Sequence, residues 1–163
     1  MNRQHNYNLA IRWTGNKGTG TSHYRSYERS YTIQAEGKIK IQGSSDPAFR
    51  GDKSKYNPED LLVASLSSCH MLSYLHLCAE AGVVVIDYVD QATGIMEETA
   101  NGGGQFKEVT LNPVLIVADE SMVSLAMQLH QKAGELCFIA RSVNFKVSHK
   151  PLCQARPHEG SPI

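Results

Sequence analysis

Three short runs near the N-terminus have strand character, NLAIRWTG (8–15), RSYTIQA (29–35) and KIKIQGS (38–44), and apolar and polar residues alternate in the last two. Alternation with a period of two predicts β-strands, and the glycine-containing segments between the runs predict turns. We therefore expect an antiparallel meander of three strands. The segment SSDPAFRGDKSKY, residues 44–56, is polar and rich in turn residues, so it predicts a loop ahead of the next element.

A long helix is predicted over residues 58–80. Asn57 is a favourable N-cap, and Pro58 fits the first helical position because that position needs no amide donor. The two acidic residues that follow, Glu59 and Asp60, lie at the positive end of the helix dipole. Gly82 is suited to the C-cap, so the helix should end just before it.

Four residues of this helix recur at helical spacing and should face the core: Leu62, Leu66, Cys69 and Ser73. This pattern predicts a buried Cys69. A buried free cysteine is most often inert, because a small thiol packs well without any chemical role.

The second half of the chain predicts further strands and one more helix. VVVIDYVDQATGIMEE (83–98) predicts one or two strands, and FKEVTLNPVLIVAD (106–119) predicts another after the turn NGGG. Ser121 should cap a second helix over residues 121–140. Five residues of that helix follow helical spacing: Val123, Met127, His130, Ala133 and Cys137. NFKVSHKPL (144–152) predicts a final strand.

This order of elements is typical of the α+β class, and 163 residues with 41% hydrophobic content suit one domain. We expect that domain to span residues 1–155, with a flexible C-terminal tail at 156–163. Both helices are apolar over much of their circumference. A second subunit would cover the remaining apolar surface, so we expect a homodimer.

Charge and hydropathy exclude several classes of function. Sixteen basic and sixteen acidic residues give no net charge, which argues against a nucleic-acid partner. The N-terminus lacks the apolar core of a signal peptide, and no run of residues suggests a membrane span. We therefore expect a cytoplasmic protein without a membrane partner.

The chain has four cysteines: Cys69, Cys78, Cys137 and Cys153. In a reducing cytosol such a set indicates metal binding, catalysis or packing rather than a disulfide framework. Their spacing does not fit a zinc motif. Pairing Cys69 with His76, or His130 with Cys137, would separate the ligands by about 10 Å along a helix, too far for one ion. We expect no metal and no cofactor.

Two motifs carry a resemblance to a known family. NPEDLL followed by SLSSC places Glu59 ten residues before Cys69, and the later segment KAGELCFIARSV contains Cys137. Together with the early IRWTG and GTG, these motifs resemble the OsmC/Ohr family of thiol-dependent peroxidases, and more closely its OsmC branch. The resemblance covers most of residues 9–149. It implies an OsmC-like fold in which antiparallel sheets wrap around two long central helices in an intertwined homodimer, with active sites at the dimer interface.

The resemblance also implies a role for each matched residue. Cys69 corresponds to the peroxidatic cysteine and Cys137 to the resolving cysteine. Arg50 matches the active-site arginine of the OsmC branch, and Glu59 matches its carboxylate partner. In the Ohr branch the arginine lies earlier in the chain, which leaves two alternatives in this sequence, Arg25 and Arg29. One departure from the family pattern is the segment after Cys137, which reads Phe-Ile-Ala where proline is common.

These residue types suit hydroperoxide reduction. The reaction needs a thiolate, and a nearby guanidinium favours that charged form. Attack on the peroxide leaves a sulfenic acid, which a second thiol converts to a disulfide before it over-oxidises. Regeneration then needs an external dithiol, and the resemblance suggests one of the lipoyl type. An apolar pocket would favour alkyl and lipid hydroperoxides over hydrogen peroxide.

Other cysteines and histidines have simpler interpretations. Cys78 is predicted to be structural, and Cys153, beyond the last strand, is predicted to be incidental. His70 and His76 are predicted to be polar neighbours of Cys69 or satisfied hydrogen-bonding residues rather than ligands. A second hypothesis for the whole protein is a redox sensor without turnover, or a dimer that binds a hydrophobic small molecule. With a dithiol present, a peroxidase should consume many equivalents of organic hydroperoxide, whereas a sensor or binding protein should react about once.

Overall fold

The structure, a computed structural model, describes residues 3–157. The chain forms two compact units, Met1–Leu62 and Val63–Ile163. The single domain over residues 1–155 stays a prediction. Of the predicted flexible tail, residues 158–163 lie outside the described part of the chain.

The first unit contains the predicted meander. Strands β1 (Ala10–Trp13), β2 (Tyr31–Gln34) and β3 (Ile41–Gly43) form one antiparallel sheet in that order. In the following loop, a short 3₁₀ turn occupies Pro47–Phe49 and is capped by the Asp46 side chain, which accepts a bond from Ala48 N at 2.7 Å. The antiparallel pairing expected from the alternation is confirmed.

Helix α1 spans Pro58–Glu80, as its capping residues predicted. Asp60 N donates to Asn57 Oδ1 at 2.6 Å, and Asn57 N donates back to Asp60 Oδ2 at 3.1 Å. This reciprocal pair has the form of a capping box. At the other end Gly82 has φ +73°, and Val83 N donates to Cys78 O at 2.9 Å, as in a Schellman motif.

The core-facing side of α1 differs from the predicted one. The buried residues recur every four positions: Leu66, His70, Tyr74 and Cys78. Cys69 is only partly buried and lies beside this line, so the prediction that it faces the core is wrong. The physical reason is that two large rings, His70 and Tyr74, find stacking partners inside the second unit and occupy the core in its place.

The second unit contains six strands in two mixed sheets. Their bounds are β4 Val85–Asp90, β5 Thr93–Glu98, β6 Gly104–Leu111, β7 Pro113–Val117, β8 Lys146–His149 and β9 Leu152–Ala155. One sheet has the order β4-β7-β9 and the other β5-β6-β8. The α+β class is confirmed.

Two prolines divide segments that were predicted as single strands. Pro113 begins β7 directly after Asn112, and Pro151 separates β8 from β9, since proline lacks the amide donor that a continuous ladder needs. The two C-terminal strands pair parallel to their neighbours, β8 with β6 and β9 with β7. Antiparallel sheets had been expected, and that expectation is wrong for these two strand pairs.

Helix α2 spans Val123–Leu136, after a 3₁₀ turn at Glu120–Met122. The predicted cap Ser121 lies inside this turn, and the Asp119 carboxylate caps the turn by accepting a bond from Ser121 N at 2.9 Å. The N-cap of α2 itself is Met122, which makes no side-chain capping bond. The helix also ends earlier than predicted. Cys137 is its C-cap and has an extended backbone, which turns the chain away from the helix axis.

Two apolar clusters fill the second unit, and α1 contributes to both. One contains Leu66 together with Val109 and Leu111 of β6. The other contains Tyr74 and Cys78 together with residues of β7 and α2. His70 lies between Leu66 and Tyr74 along α1, so a buried polar ring separates the residues that α1 contributes to the two clusters.

By length and composition alone, α1 could cross a membrane, since it has 23 residues and is sufficiently apolar. The expectation that no run suggests a membrane span is therefore wrong on these criteria. Core helices of soluble proteins pass the same test, and four residues of α1 are buried within the fold.

Candidate active site

Cys69 and Cys137 lie side by side in the second unit. They come from different elements, Cys69 from the middle of α1 and Cys137 from the end of α2. Burial, together with a hydrogen bond with the Cys69 thiol, raises the pKa of the Cys137 thiol to about 11. Both thiols are reduced in this structure. Two neighbouring free thiols can form a disulfide upon oxidation.

The Cys137 sulfur is held by the backbone turn that follows it. Its side chain is 1% exposed, and Ala140 N donates to Sγ at 3.4 Å. Bonds from the backbone amides of Ile139 and Ala140 favour the thiolate, but they are weaker than the opposing effect of burial. Cys137 is therefore a protonated thiol at neutral pH.

Three histidines cluster near the cysteines. His70 Nε2 and His130 Nδ1 are 3.0 Å apart and share one hydrogen bond. The His130 ring also stacks on Tyr74 with a centroid distance of 4.0 Å, and the His149 ring meets His70 edge-on at 5.0 Å. Both His70 and His130 are 2% exposed.

Burial keeps two of these rings neutral. Burial, together with the charge of neighbouring histidines, lowers the pKa of His70 to about 4 and that of His130 to about 3. Within residues 3–157, neither His130 Nε2 nor His149 Nε2 has a hydrogen-bond partner. Within the same residues no His, Cys, Asp and Glu side chains are grouped so that three could hold a metal ion.

A cavity of about 380 Å³ opens next to Cys137. Its walls combine apolar side chains with polar ones from α2 and β8, including Leu66, Leu111, Glu135 and His149. Gly134 makes room for the histidine, because a Cβ at that position would lie 2.7 Å from His149 Nε2. The cavity therefore places a thiol and an imidazole in one small, largely apolar space.

Arg50 lies in the first unit, at the end of the 3₁₀ turn. It has φ +65° and ψ +28°, and it is the only non-glycine residue with a positive φ among residues 3–157. A left-handed conformation at an arginine is unfavourable and often marks a functional position. Its side chain is exposed, and the guanidinium lies 5.8 Å from the centroid of the Tyr24 ring.

Glu59 lies in the first turn of α1, also in the first unit. Its Oε2 is buried and has no hydrogen-bond partner in the described part of the chain. The expected Arg50–Glu59 ion pair is not formed there, because the Arg50 side chain is directed to the Tyr24 ring instead. Burial and then the charges of Glu59 and Asp60 raise the pKa of the Tyr31 phenol.

The two alternative arginines are placed differently. Arg29 donates to Tyr27 O and to Tyr24 O, both at 2.7 Å, and its guanidinium lies over both rings at 4.2 and 4.3 Å. These contacts fix Arg29 inside its own loop. Arg25 is exposed.

The other cysteines and the remaining helix histidine have structural surroundings. Cys78 is buried in an apolar cluster, in agreement with its predicted structural role. Cys153 lies within strand β9 and packs against the same cluster, so its predicted place beyond the last strand is wrong. His76 is exposed, with Nε2 3.5 Å from Glu80 Oε1.

Sequence reasoning missed the histidine cluster and the cavity. His130 shares a face of α2 with Cys137, two turns away, which was an available signal. His70 was predicted to be a polar neighbour or a satisfied hydrogen-bonding residue, and its hydrogen bond with His130 agrees with the second interpretation. His149 had no local signal, since only the parallel pairing of β8 with β6 brings it to Gly134.

Comparison with known proteins supports the same fold. The model of the OsmC-like protein family matches residues 51–151. An OsmC-like protein of unknown function from Vibrio cholerae has 28% sequence identity and a TM-score of 0.82, with 91% of this chain and 100% of that chain covered. No curated protein matches this chain.

Two further structures share the fold at lower identity. An organic hydroperoxide resistance protein from Elizabethkingia anophelis has 17% identity and a TM-score of 0.66, with 94% of this chain and 100% of that chain covered. An organic hydroperoxide resistance protein from Legionella pneumophila has 17% identity and a TM-score of 0.65, with 92% and 98% covered. At this identity they indicate the fold alone.

Proposed function

This chain belongs to the OsmC-like protein family, and we propose that it is a cysteine-based peroxidase that reduces organic hydroperoxides. The observation that carries the proposal is the pair of neighbouring reduced thiols, Cys69 and Cys137, delivered by two separate helices. Two structural relatives are named organic hydroperoxide resistance proteins, which is consistent with peroxide chemistry on this fold.

In the proposed reaction, the Cys69 thiolate attacks the distal oxygen of the hydroperoxide. The O–O bond breaks, the alcohol leaves with one proton, and Cys69 becomes a sulfenic acid. Cys69 suits this role better than Cys137, because it is partly exposed whereas burial holds Cys137 in the protonated form. By the family resemblance, Arg50 favours the thiolate and Glu59 assists Arg50.

Cys137 then resolves the sulfenic acid. Its sulfur attacks Cys69, the S–O bond breaks, and the hydroxyl group leaves as water with the proton of Cys137. The neighbouring position of the thiols suits this step without a large rearrangement. An external dithiol, for which we propose the lipoyl type, returns both cysteines to thiols.

The surroundings of the cysteines support a proposal for the substrate and for the cellular setting. Apolar side chains near Cys137, such as Leu66 and Leu111, favour an alkyl or lipid chain over hydrogen peroxide. Four free cysteines suit the reducing cytoplasm, where we propose the protein acts in oxidative stress defence.

We also propose a homodimer. Large apolar side chains remain exposed in the single chain, among them Leu72 at 63% and Phe138 at 80%. A partner subunit that covered them would remove this surface from water. Light scattering coupled to size-exclusion chromatography tests the proposal, and a monomer at micromolar concentration would contradict it.

The decisive experiment measures turnover with cumene hydroperoxide and hydrogen peroxide, using excess dihydrolipoamide. Wild-type protein should give many turnovers and prefer the organic peroxide. Cys69→Ser should give none, and Cys137→Ser should give one oxidation followed by inactivation. Cys153→Ser, which changes another partly buried free cysteine, should retain turnover. A wild-type rate no higher than that of Cys69→Ser would refute the peroxidase.

The cavity supports a second candidate function. Its volume of about 380 Å³ and its apolar walls suit a small hydrophobic ligand, so the protein could bind such a molecule or sense oxidants without turnover. In that case, one equivalent of hydroperoxide would oxidise the protein once, and added dithiol would not sustain consumption.

A further inference from the structure

The cavity described above gives access to one of the two active thiols. Cys137 is among the residues that line it, and Cys69 is not. Glu135 and Gln131 are exposed residues at its walls, which places them at the side of the opening. A small molecule that enters from solvent would therefore reach the part of the cavity wall that contains Cys137.

The chemistry of disulfide exchange also favours attack on Cys137. An external thiol can attack either sulfur of a Cys69–Cys137 disulfide, and the other sulfur then leaves as a thiolate. A thiol with a high pKa is a poor leaving group. Burial raises the pKa of Cys137 to about 11, so attack that expels Cys137 is disfavoured. Attack on Cys137, which expels Cys69, is the faster direction.

We propose that the cavity is the entrance for the external reductant, a small dithiol whose first sulfur attacks Cys137 while the His149 imidazole accepts its proton. This inference rests on the proposed function, because it concerns regeneration of the same disulfide. A new S–S bond forms between the reductant and Cys137, the Cys69–Cys137 bond breaks, and Cys69 leaves as a thiolate.

The second thiol of the reductant completes the reaction. It attacks the reductant's first sulfur, forms the oxidised cyclic product, and its proton passes to the departing Cys137 thiolate. His149 releases the first proton to solvent. Two electrons and two protons leave the dithiol, so the step balances without another oxidant or reductant.

His149 is placed for this proton transfer. Its ring lines the cavity with Cys137, and its Nε2 has no hydrogen-bond partner within residues 3–157. The titratable groups that line the cavity beside it are His70, Glu135 and Cys137. The pKa of His70 is lowered to about 4, chiefly by burial, and its Nε2 is bonded to His130. Glu135 is ion-paired with Lys132, and Cys137 is in the disulfide at this stage, so the proposal assigns the proton to His149.

The first experiment identifies the attacked sulfur. The Cys69–Cys137 disulfide is formed with diamide, which requires no peroxidase activity, and is then treated briefly with 2-mercaptoethanol, a thiol with no second sulfur. After an acid quench, peptide mass spectrometry locates the mixed disulfide. We expect it on Cys137. A mixed disulfide mainly on Cys69 would overturn the proposal, as would failure of diamide to form the disulfide.

The second experiment tests the route of entry by charge. The disulfide is reduced by cationic cysteamine and by anionic 2-mercaptoethanesulfonate, and the ratio of the two rates is measured. Glu135→Lys should shift this ratio by about 3- to 10-fold toward the anionic thiol at low salt. Glu80→Lys, a control at another exposed and ion-paired glutamate, should not shift it. Equal ratios in both variants would exclude entry past Glu135.

The third measurement concerns His149. His149→Gln should slow reduction by 2-mercaptoethanol by at least about 10-fold at pH 7. The difference should close above the pKa of that thiol, where no base is needed, whereas a structural defect would persist at every pH. An unchanged rate at pH 7 would overturn the role of His149. Because none of these assays uses peroxide, they fail or succeed separately from the peroxidase itself.

Discussion

Acidification should destabilise this protein through its two buried histidines. The pKa is about 4 for His70 and about 3 for His130 in the folded chain, against 6.5 for an accessible imidazole. Between these values the unfolded chain binds a proton at each ring and the folded chain does not. The free energy of unfolding therefore falls as the pH drops below 6.5, and it is unaffected by these rings above that value.

The magnitude follows from the two pKa values of each ring. At pH 5, each histidine lowers the free energy of unfolding by about 2 kcal/mol, so the pair lowers it by about 4 kcal/mol. His130→Gln removes one titrating ring and leaves the burial of His70, which is the main cause of its lowered pKa. The drop between pH 7.5 and pH 5 should then shrink to about 2 kcal/mol.

Urea denaturation followed by far-UV circular dichroism at both pH values measures this drop. The comparison uses the change with pH within each variant, so a constant loss of packing in His130→Gln cancels. His76→Gln is the control, because His76 is exposed and its removal should leave the drop unchanged. The same drop in wild type and His130→Gln would refute the reasoning.

Four further substitutions have defined outcomes in the same denaturation assay. Tyr88→Phe should raise the free energy of unfolding by about 1 kcal/mol, because the buried Tyr88 hydroxyl has no hydrogen-bond partner in the described residues. Tyr74→Phe should lower the free energy of unfolding by a similar amount, because the Tyr74 hydroxyl donates to Ala126 O at 3.2 Å. Arg50→Asn should raise it by about 0.5 to 1 kcal/mol by relieving the left-handed backbone, while peroxide turnover falls; a loss of stability would contradict this. Gly82→Ala should lower it by about 1 kcal/mol, since alanine is disfavoured at φ +73°, and no change would contradict the C-cap assignment.

Local signals in the sequence predicted the elements whose ends are set by neighbouring residues. The bounds of α1 follow from Asn57, Pro58 and Gly82, and the structure confirms each of these signals through a hydrogen bond or a backbone angle. The first meander follows from alternation over a few residues. Such signals need no knowledge of the rest of the fold.

Features that depend on distant contacts were predicted less well. The side of α1 that faces the core is decided by the stacking of His70 and Tyr74 on His130, a residue of α2. Helical spacing alone placed Cys69 there instead. The parallel pairing of β8 and β9 has no local signal, because it depends on strands far earlier in the chain.

Only part of the candidate site was predicted, because the rest of it also depends on distant contacts. The neighbouring position of Cys69 and Cys137 could be expected from family-like motifs, and their catalytic roles remain predictions. The histidine cluster and the cavity could not be expected, because His149 reaches them only through the register of β8 against β6.

The parallel pairing of the last two strands constrains how the chain folds during synthesis. Val114 of β7 pairs with Leu152 of β9, and Glu108 of β6 pairs with Lys146 of β8. Each sheet of the second unit therefore lacks one outer strand until the C-terminal residues leave the ribosome, and contacts between distant residues form slowly. A nascent chain that stops before β8 would carry Cys69 and Cys137 without the strand that brings His149 into the cavity with Cys137.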